Sequence, residues 1–307
     1  MAAQIAKRVM MMEIAQIIQQ MVNILGIAGI YMMFAIGMSM VYAVMRVFHI
    51  AHGGVLIIGA YTNLFLFLLT RNIVVSAIGS MLVAAIAGIG IQTLLYNPIL
   101  KKRISNWQRI TLIASLGANV AITEGFLRFV GAKHLQYPVP FNSFIVNILG
   151  VRIFLVQLAA IIIAVATMVS LWIFLMKTRM GRSLRAVSQD WELATSQGIN
   201  PYMIFYVAII IGSVFAGLAG VLTSTYYNDV YPEIGELPNL VSFAIIILGG
   251  LGSFPGTILG AVTVAAVEGL SFAYLPITAV PRGAISFIIL LFVLAIRPEG
   301  MLGRKWK

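Results

Sequence analysis

Apolar stretches long enough to cross a lipid bilayer recur along the chain, and they limit its fold more than any motif does. A hydrocarbon core about 30 Å thick takes roughly 20 apolar residues of α-helix. Runs at 22–44, 53–70, 73–99, 110–130, 153–176, 201–225, 256–275 and 283–297 meet or approach that length, and 239–252 is a further apolar segment interrupted by glycine. Composition agrees, since 61% of the 307 residues are hydrophobic and 9% are charged, where soluble domains carry about 25% charged residues. The expectation is an all-α polytopic transmembrane helical bundle of about eight spans. The first long run has no small-residue cleavage site and is followed by further spans, so it reads as a span and not as a removed leader. The preceding residues 1–20, with Lys7 and Arg8, read as a short interfacial helix.

A net charge of +11 would point to nucleic acid in a soluble protein. Here the basic residues sit in short segments between apolar spans, where they report topology instead. Lys101, Lys102, Arg103 and Arg109 form one such segment, Lys177, Arg179, Arg182 and Arg185 a second, and Arg297, Arg304, Lys305 and Lys307 a third. All three are expected on the cytoplasmic face, with the loop 131–151 outside. Three apolar runs precede Lys101, so simple alternation puts the N-terminus outside, whereas Lys7 and Arg8 favour the inside. A segment around 49–60 that enters and leaves on one side would reconcile the two. There is no cysteine, which excludes disulfides and thiolate metal sites.

Two apolar stretches carry helix breakers: "VFHIAHGGVLIIGAY" (47–61) and "LVSFAIIILGGLGSFPGTILGA" (240–261). Broken backbone is tolerated at membrane depth where protein or a water-filled cavity surrounds it, and transporters use such segments to build substrate routes. Gly249, Gly250, Gly252, Pro255 and Gly256 fall within eight positions, more than one close helix crossing needs. His49 and His52 are one helical turn apart; a metal pair and structural hydrogen bonding at a break are both open, with no third ligand nearby. Glu124 and Arg128 have the i, i+4 spacing of a structural ion pair. Glu268 lies near the middle of a span without a local partner, which makes it a pathway candidate or a buried hydrogen-bonding group. No phosphate-binding loop, HExxH or Gly-x-Ser-x-Gly motif occurs, so the chain carries no visible energy source or catalytic centre of its own.

The segment 179–201, "RMGRSLRAVSQDWELATSQGINP", is the longest polar stretch. Ala186, Trp191 or Leu193, Ala194 and Ile199 form an apolar stripe bordered by Arg182, Arg185, Asp190 and Glu192, opened by Gly181 and stopped by Gly198 before Pro201. A short amphipathic helix of this kind suits docking into a partner's groove or resting on lipid headgroups.

This segment resembles the cytoplasmic loop of ABC importer permeases of the branched-chain amino acid class at Gly181, Arg185, Ala186, Asp190, Ala194, Gly198 and Ile199. The resemblance continues in Gly37, Val41, Tyr42, Ala51, His52, Gly53, Gly59, Ala60 and Tyr61, in Leu248, Gly249, Gly250, Gly252, Ser253, Pro255, Gly256 and Gly260 with Glu268 downstream, and in Arg297, Pro298, Gly300 and Gly303. The chain departs from the family pattern at His49, where Asn is common, at Gly54, where Glu is common, and at Gln92, Asn97 and Leu100, where charged residues are usual.

The resemblance implies a single transmembrane permease domain over 1–307 of a multi-pass protein in a bacterial or archaeal cell membrane, with broken or re-entrant Gly-rich segments and a coupling-helix loop at 177–200. It implies a substrate pathway near His49, His52, Gly53, Tyr61, Gly249, Gly250, Gly252, Pro255 and Glu268, and ATPase coupling through Gly181, Arg185, Ala186, Asp190, Ala194 and Gly198. The implied partners are two cytoplasmic ATPase subunits that use ATP and Mg, a second homologous permease, an extracytoplasmic binding protein and membrane lipid. The chain itself is expected to bind no cofactor, metal or nucleic acid. Selectivity rests mostly with the binding protein, so no high-affinity pocket is expected. Urea or short-amide importers share these signatures. Outside the class, Glu124, Glu268 and the histidines suit an ion-coupled secondary transporter, and a channel-like subunit is a further alternative.

Overall fold

The apolar runs fold as helices whose ends fall close to the sequence boundaries. A computed structural model describes residues 2–102, 106–138, 145–148, 151–274, 282–297 and 300–302. Helix α1 covers Ala2–Met45, α2 His52–Thr70 and α3 Ile73–Ile91; α3 continues through a π turn, Gln92–Tyr96, into α4, Asn97–Lys101. Then come α5 (Trp107–Val130), a hairpin of β1 (Ile145–Ile148) and β2 (Val151–Phe154), α6 (Leu155–Lys177), α7 (Arg179–Gln189), α8 (Trp191–Ser196), α9 (Pro201–Tyr227), α10 (Glu236–Gly249), α11 (Phe254–Tyr274) and α12 (Arg282–Ile296). Among the described residues seven helices are long and apolar enough to cross a membrane, and α10 and α12 are shorter apolar helices.

Local chemistry sets these boundaries. Arg71 turns left-handed with φ 56° and ends α2, and the Asn72 side chain then accepts hydrogen bonds from the amides of Val74 and Val75 to start α3. Asn200 caps α9, whose first position is Pro201, where a missing N–H costs nothing. At the end of α3 the amide of Asn97 reaches back to the Gln92 carbonyl, a π turn just before Pro98, whose ring cannot bond to the carbonyl four residues back.

Two expectations change and one gains a detail. Residues 2–20 continue α1 without a break and do not form a separate interfacial helix. The all-α expectation holds, with one short hairpin added in the loop before α6, where β1 and β2 pair antiparallel from Ile145↔Phe154 to Ile148↔Val151. The segment 49–60 does not enter and leave on one side, since α2 is unbroken from His52 to Thr70 and the interruption lies upstream at 46–51.

Packing partners fix the directions. Gly26 faces Gln157 and Gly29 faces Ala160, so α1 and α6 run parallel. Thr93 bonds to Tyr206 and Gly88 faces Ser213, so α3 and α9 run antiparallel. Ser39 bonds to Thr257 and Tyr31 to Glu268, which sets α11 antiparallel to α1. At one end of α1, Arg46 reaches Ser188 beside the basic 177–185 segment; at the other, Gln19 bonds to the backbone of Arg152. With the basic segments cytoplasmic, α1 starts outside and simple alternation holds. The side chains of Lys7 and Arg8, and Arg103, Pro281, Pro298, Gly303, Arg304, Lys305 and Lys307, lie outside the described residues.

The core is built by close approach. In lipid no hydrophobic force separates helix from tail, so association depends on small residues that let backbones meet. Helix α9 presents Gly212, Ser213, Ala216, Gly217, Ala219 and Gly220 as buried positions. A Cβ on Gly59 would stand 2.6 Å from the Gly217 Cα, and one on Gly37 2.8 Å from the Gly212 carbonyl. Large apolar side chains face outward instead, among them Leu69, Ile86, Leu94, Phe129, Trp172 and Phe292. Gly217→Val should therefore force α2, α3 and α9 apart and destabilise the protein by about 1–3 kcal/mol, read as a lower unfolding midpoint in detergent. Gly117→Ala, where a Cβ meets nothing within 4 Å, should leave the midpoint unchanged or raise it.

Candidate functional site

Two irregular segments interrupt the helices of the bundle. The first connects α1 to α2. Arg46 adopts φ 56° and its amide closes α1 on the Tyr42 carbonyl at 2.8 Å. The chain then climbs back beside α1, so that the His52 ring reaches the Phe34 carbonyl eleven residues above the end of that helix. Exposed amides and carbonyls at this depth need protein partners, and α5 and α10 provide them. Ile50 donates its amide to Ser115 Oγ at 2.9 Å, Asn239 Nδ2 donates to the Ile50 carbonyl at 3.0 Å, and Gly54 donates its amide to Asn119 Oδ1 at 2.7 Å.

The histidines sit in this break and are hydrogen-bonded there. His49 Nδ1 lies 2.5 Å from the Tyr96 hydroxyl, and His52 donates from Nε2 to Phe34 O at 3.1 Å. Their rings stand 5.6 Å apart, edge to face. Both are buried, and His49 Nε2 and His52 Nδ1 make no hydrogen bond among the described residues. No third His, Cys, Asp or Glu groups with them among those residues. Gly53 packs against Asn119, the Gly235 carbonyl and Asn239. Of the positions that depart from the family pattern, Gln92 bonds to Asn97 at 3.0 Å and Asn97 to the Tyr206 hydroxyl at 2.6 Å, a neutral network in this chain.

The second irregular segment separates α10 from α11. Gly250 at φ 102° and Gly252 at φ 77° turn the chain, a region of backbone space that favours glycine. Gly249 and Gly256 press backbone to backbone, so a Cβ on either would overlap the other's carbonyl. The last carbonyls of α10 are satisfied by the C-terminal segment: Met301 donates to Leu248 O at 2.7 Å and Leu302 to Gly249 O at 3.0 Å. Pro255 is exposed in the first turn of α11. The first break meets helix α10 itself, through the Asn239 bond to Ile50 and the rings of Phe48 and Phe243, 5.5 Å apart.

Two of the expected pathway residues lie apart from this centre. Tyr61 is buried one helical turn further along α2 than Ile57, stacked on Phe126 with ring centres 4.5 Å apart, and its hydroxyl has no partner among the described residues. Glu268 accepts from the Tyr31 hydroxyl of α1 at 2.8 Å and from Ser286 of α12. Glu124 and Arg128 are exposed and form no ion pair among the described residues, while Asp229 accepts a hydrogen bond from His134 Nδ1 at 2.7 Å.

The polar segment 179–201 is two helices, not one. Thr178 caps α7 by accepting from the Gly181 amide at 2.9 Å, and Gly181 fits so tightly against Phe174 and Leu175 that no Cβ has room. Asp190 is extended, with φ −154° and ψ 107°, and caps α8 by accepting from the amides of Glu192 and Leu193. Gly198, at φ 82°, donates to Thr195 O while Ile199 donates to Ala194 O, the paired bonds of a glycine-terminated helix end. The kink at Asp190 rotates the apolar face. Gly181, Leu184, Val187 and Ala194 face inward, Arg185 and Ala186 are half-buried, and Trp191 and Leu193 are exposed, 45% and 61%. The stripe expected from sequence therefore divides into an inner anchor and an outer pair. Arg46 links this segment to the first break, donating from Nη2 to Ser188 O at 2.9 Å.

Sequence reasoning missed Arg46, Tyr96, Ser115, Asn119 and Asn239. Asn119 and Asn239 carried a signal, being amides inside apolar runs, where polar side chains act as interhelical hydrogen-bonding groups.

A multi-pass bundle with paired breaks in its interior and a folded helical segment on its basic face is a membrane transport subunit. Known proteins give the family: the model described as "Branched-chain amino acid transport system / permease component" matches residues 20–294, and the chain belongs to that family. It is 31% identical over 300 residues to the high-affinity branched-chain amino acid transport system permease protein LivH of Salmonella typhimurium, covering 94% of this chain and 96% of that one. It is 29% identical to the permease protein BraD of Pseudomonas aeruginosa, covering 96% and 98%. The permease protein LivM of Salmonella typhimurium is 28% identical over 154 residues, 49% of this chain and 35% of that one. No solved structure matches.

Removing a break's partner should expose its cost. Asn239→Leu strands the Ile50 carbonyl and is expected to destabilise the protein by about 1–3 kcal/mol. Hydrogen–deuterium exchange in lipid nanodiscs should quicken at 46–54 while the middle of α5 stays protected.

Proposed function

We propose that this permease carries branched-chain amino acids across the cell membrane as the membrane-spanning part of an ATP-driven importer. It works with two cytoplasmic ATPases, a second homologous permease and an extracytoplasmic binding protein. The observation that carries the reading is the join between the α7–α8 segment and the first break. An exposed apolar pair on α8, Trp191 and Leu193, stands beside the exposed Asp190 and Glu192, next to α7, which is anchored by Gly181, Leu184 and Val187. Such a pair fits the groove of a soluble partner. The family relatives are named as permease proteins of transport systems, and the LivM likeness supports a second, related permease beside this one.

In this mechanism closure of the ATPase dimer displaces α8, and the part of that displacement not taken up at the extended Asp190 joint moves α7 as a unit. The Arg46–Ser188 bond passes the movement to residues 46–51, which carry His49 and lead into His52 and Gly53. The Gly249–Gly256 contact is the second moving joint, coupled to the first through Asn239. Substrate passes between the two breaks in a route that holds it weakly, since selectivity lies with the binding protein.

Two measurements test this. Trp191→Ala with Leu193→Ala should weaken ATPase co-purification at least roughly tenfold, with Gly198→Val abolishing transport while the protein stays inserted; undiminished co-purification and transport would refute the docking role. Arg46→Ala should separate the activities, leaving ATPase association intact and lowering transport per ATP hydrolysed, whereas proportionate loss of both would remove Arg46 from the linkage. Transport by the chain alone under an ion gradient, without ATP, would replace the reading with an ion-coupled carrier.

A further inference from the structure

A cavity of about 330 Å³ lies in the outward half of the bundle, between the middle of α1, the last turns of α9 and the 228–238 segment. None of the residues expected on the pathway lines it. Ile27, Ile30, Ile234 and Leu237 form its apolar wall, and Tyr31, Tyr231 and Asp229 contribute polar groups. That volume is at the lower end of small-molecule sites, about 300–1,000 Å³, and suits a compact aliphatic ligand.

Its electrostatics favour one end of such a ligand. Among the described residues no lysine or arginine lines the cavity, and Asp229 is its carboxylate. Asp229 Oδ2 accepts from His134 at 2.7 Å, while Oδ1 has no hydrogen-bond partner among the described residues. The wall is held in place by a two-way backbone bridge, Leu135 to Val230, with both bonds at 2.9 Å. Glu233 and Glu236 lie in the same segment, so three of the chain's nine acidic residues fall within 229–236 of a protein whose net charge is +11. Burial, then Asp229, Glu233 and Glu236, raise the pKa of Tyr231, which keeps its hydroxyl neutral. Tyr31 connects the wall inward to Glu268.

We propose that this cavity is a transit site for an aliphatic amino acid, with the α-ammonium group at Asp229 and the branched side chain against Ile27, Ile30, Ile234 and Leu237. The identity of the ligand rests on the importer reading above; the preference for a cation with an aliphatic tail rests on the cavity. The surrounding acidic groups oppose the ligand's own carboxylate, which keeps binding weak and release easy.

Saturation-transfer NMR on the full chain in nanodiscs, with empty nanodiscs as blank, separates these contributions. The probes are L-leucine, 3-methylbutylamine, which lacks the carboxylate, and 4-methylpentanoate, which lacks the ammonium. Leucine and the amine should bind and the acid should not. Asp229→Asn should weaken amine binding about tenfold, the loss of a charge-assisted hydrogen bond, and Asp229→Glu should restore part of it. Equal binding of acid and amine to the wild type, or binding of neither amine nor leucine, overturns the proposal even if the variants fail to fold. ATPase co-purification from the same preparation distinguishes the failures: if it persists without leucine binding, the cavity assignment falls and the importer reading stands.

Discussion

Every backbone amide and carbonyl inside the hydrocarbon region has to be satisfied by protein, and this requirement governs how the bundle is assembled. A continuous helix meets it alone, but the chain leaves helical geometry at 46–51, where α5 and α10 must supply what the helix no longer does. Ser115, Asn119 and Asn239 do so from positions 65 and 189 residues away in sequence. An unmet polar group in such surroundings costs about 1–3 kcal/mol or more. The break is therefore a tertiary structure in its own right, and it exists only while α2, α5 and α10 hold their mutual positions.

Small residues make those positions possible. Where Gly59 meets Gly217 and Gly37 meets Gly212, side chains would hold the helices several ångströms apart and the amides of Asn119 and Asn239 would fall short of their partners. The second break follows the same logic: Gly249 and Gly256 meet backbone to backbone, and Met301 and Leu302 reach the carbonyls that the end of α10 leaves open. Close packing and hydrogen bonding are thus one requirement in this protein, because the short polar side chains reach only when the backbones nearly touch.

The spans were readable from sequence because lipid imposes a simple rule, a run of apolar residues of fixed length, and α2, α5, α9 and α11 begin and end within three residues of their apolar runs. The break at 240–261 was readable too, since glycine and proline mark it directly. The first break was misplaced by a few residues: Gly53 and Gly54 look like helix breakers, yet they lie inside α2 and serve close packing against α5, α10 and the Gly235 carbonyl. What opens the chain is Arg46 in a left-handed conformation, which has no sequence signature. The polar segment was legible as amphipathic, but the extended Asp190 shifts the helical phase, so a single periodic stripe could not say that Trp191 and Leu193 face outward. The partners of Glu268 were invisible for a simpler reason, being 237 and 18 residues away on other helices.

In the proposed mechanism, force applied at the cytoplasmic face has a defined path into the bundle. Helix α7 is pinned along its inner side by Gly181, Leu184 and Val187 and cannot bend freely, while the joint at Asp190 is one extended residue and can. Movement of α8 is thus either absorbed at Asp190 or delivered as a rigid displacement of α7. In the second case the Arg46 guanidinium, bonded to a carbonyl at the C-terminal end of α7, moves with it. Arg46 is also the residue at which α1 stops, so its displacement falls on the irregular segment and not on a helix. The segments on either side are stiff helices; 46–51 is held by discrete side-chain bonds, which can be exchanged one at a time. In the proposed mechanism, a bundle whose rigid parts meet at two hydrogen-bonded breaks, one of them bonded to the cytoplasmic segment through Arg46, has its compliance where a gate requires it.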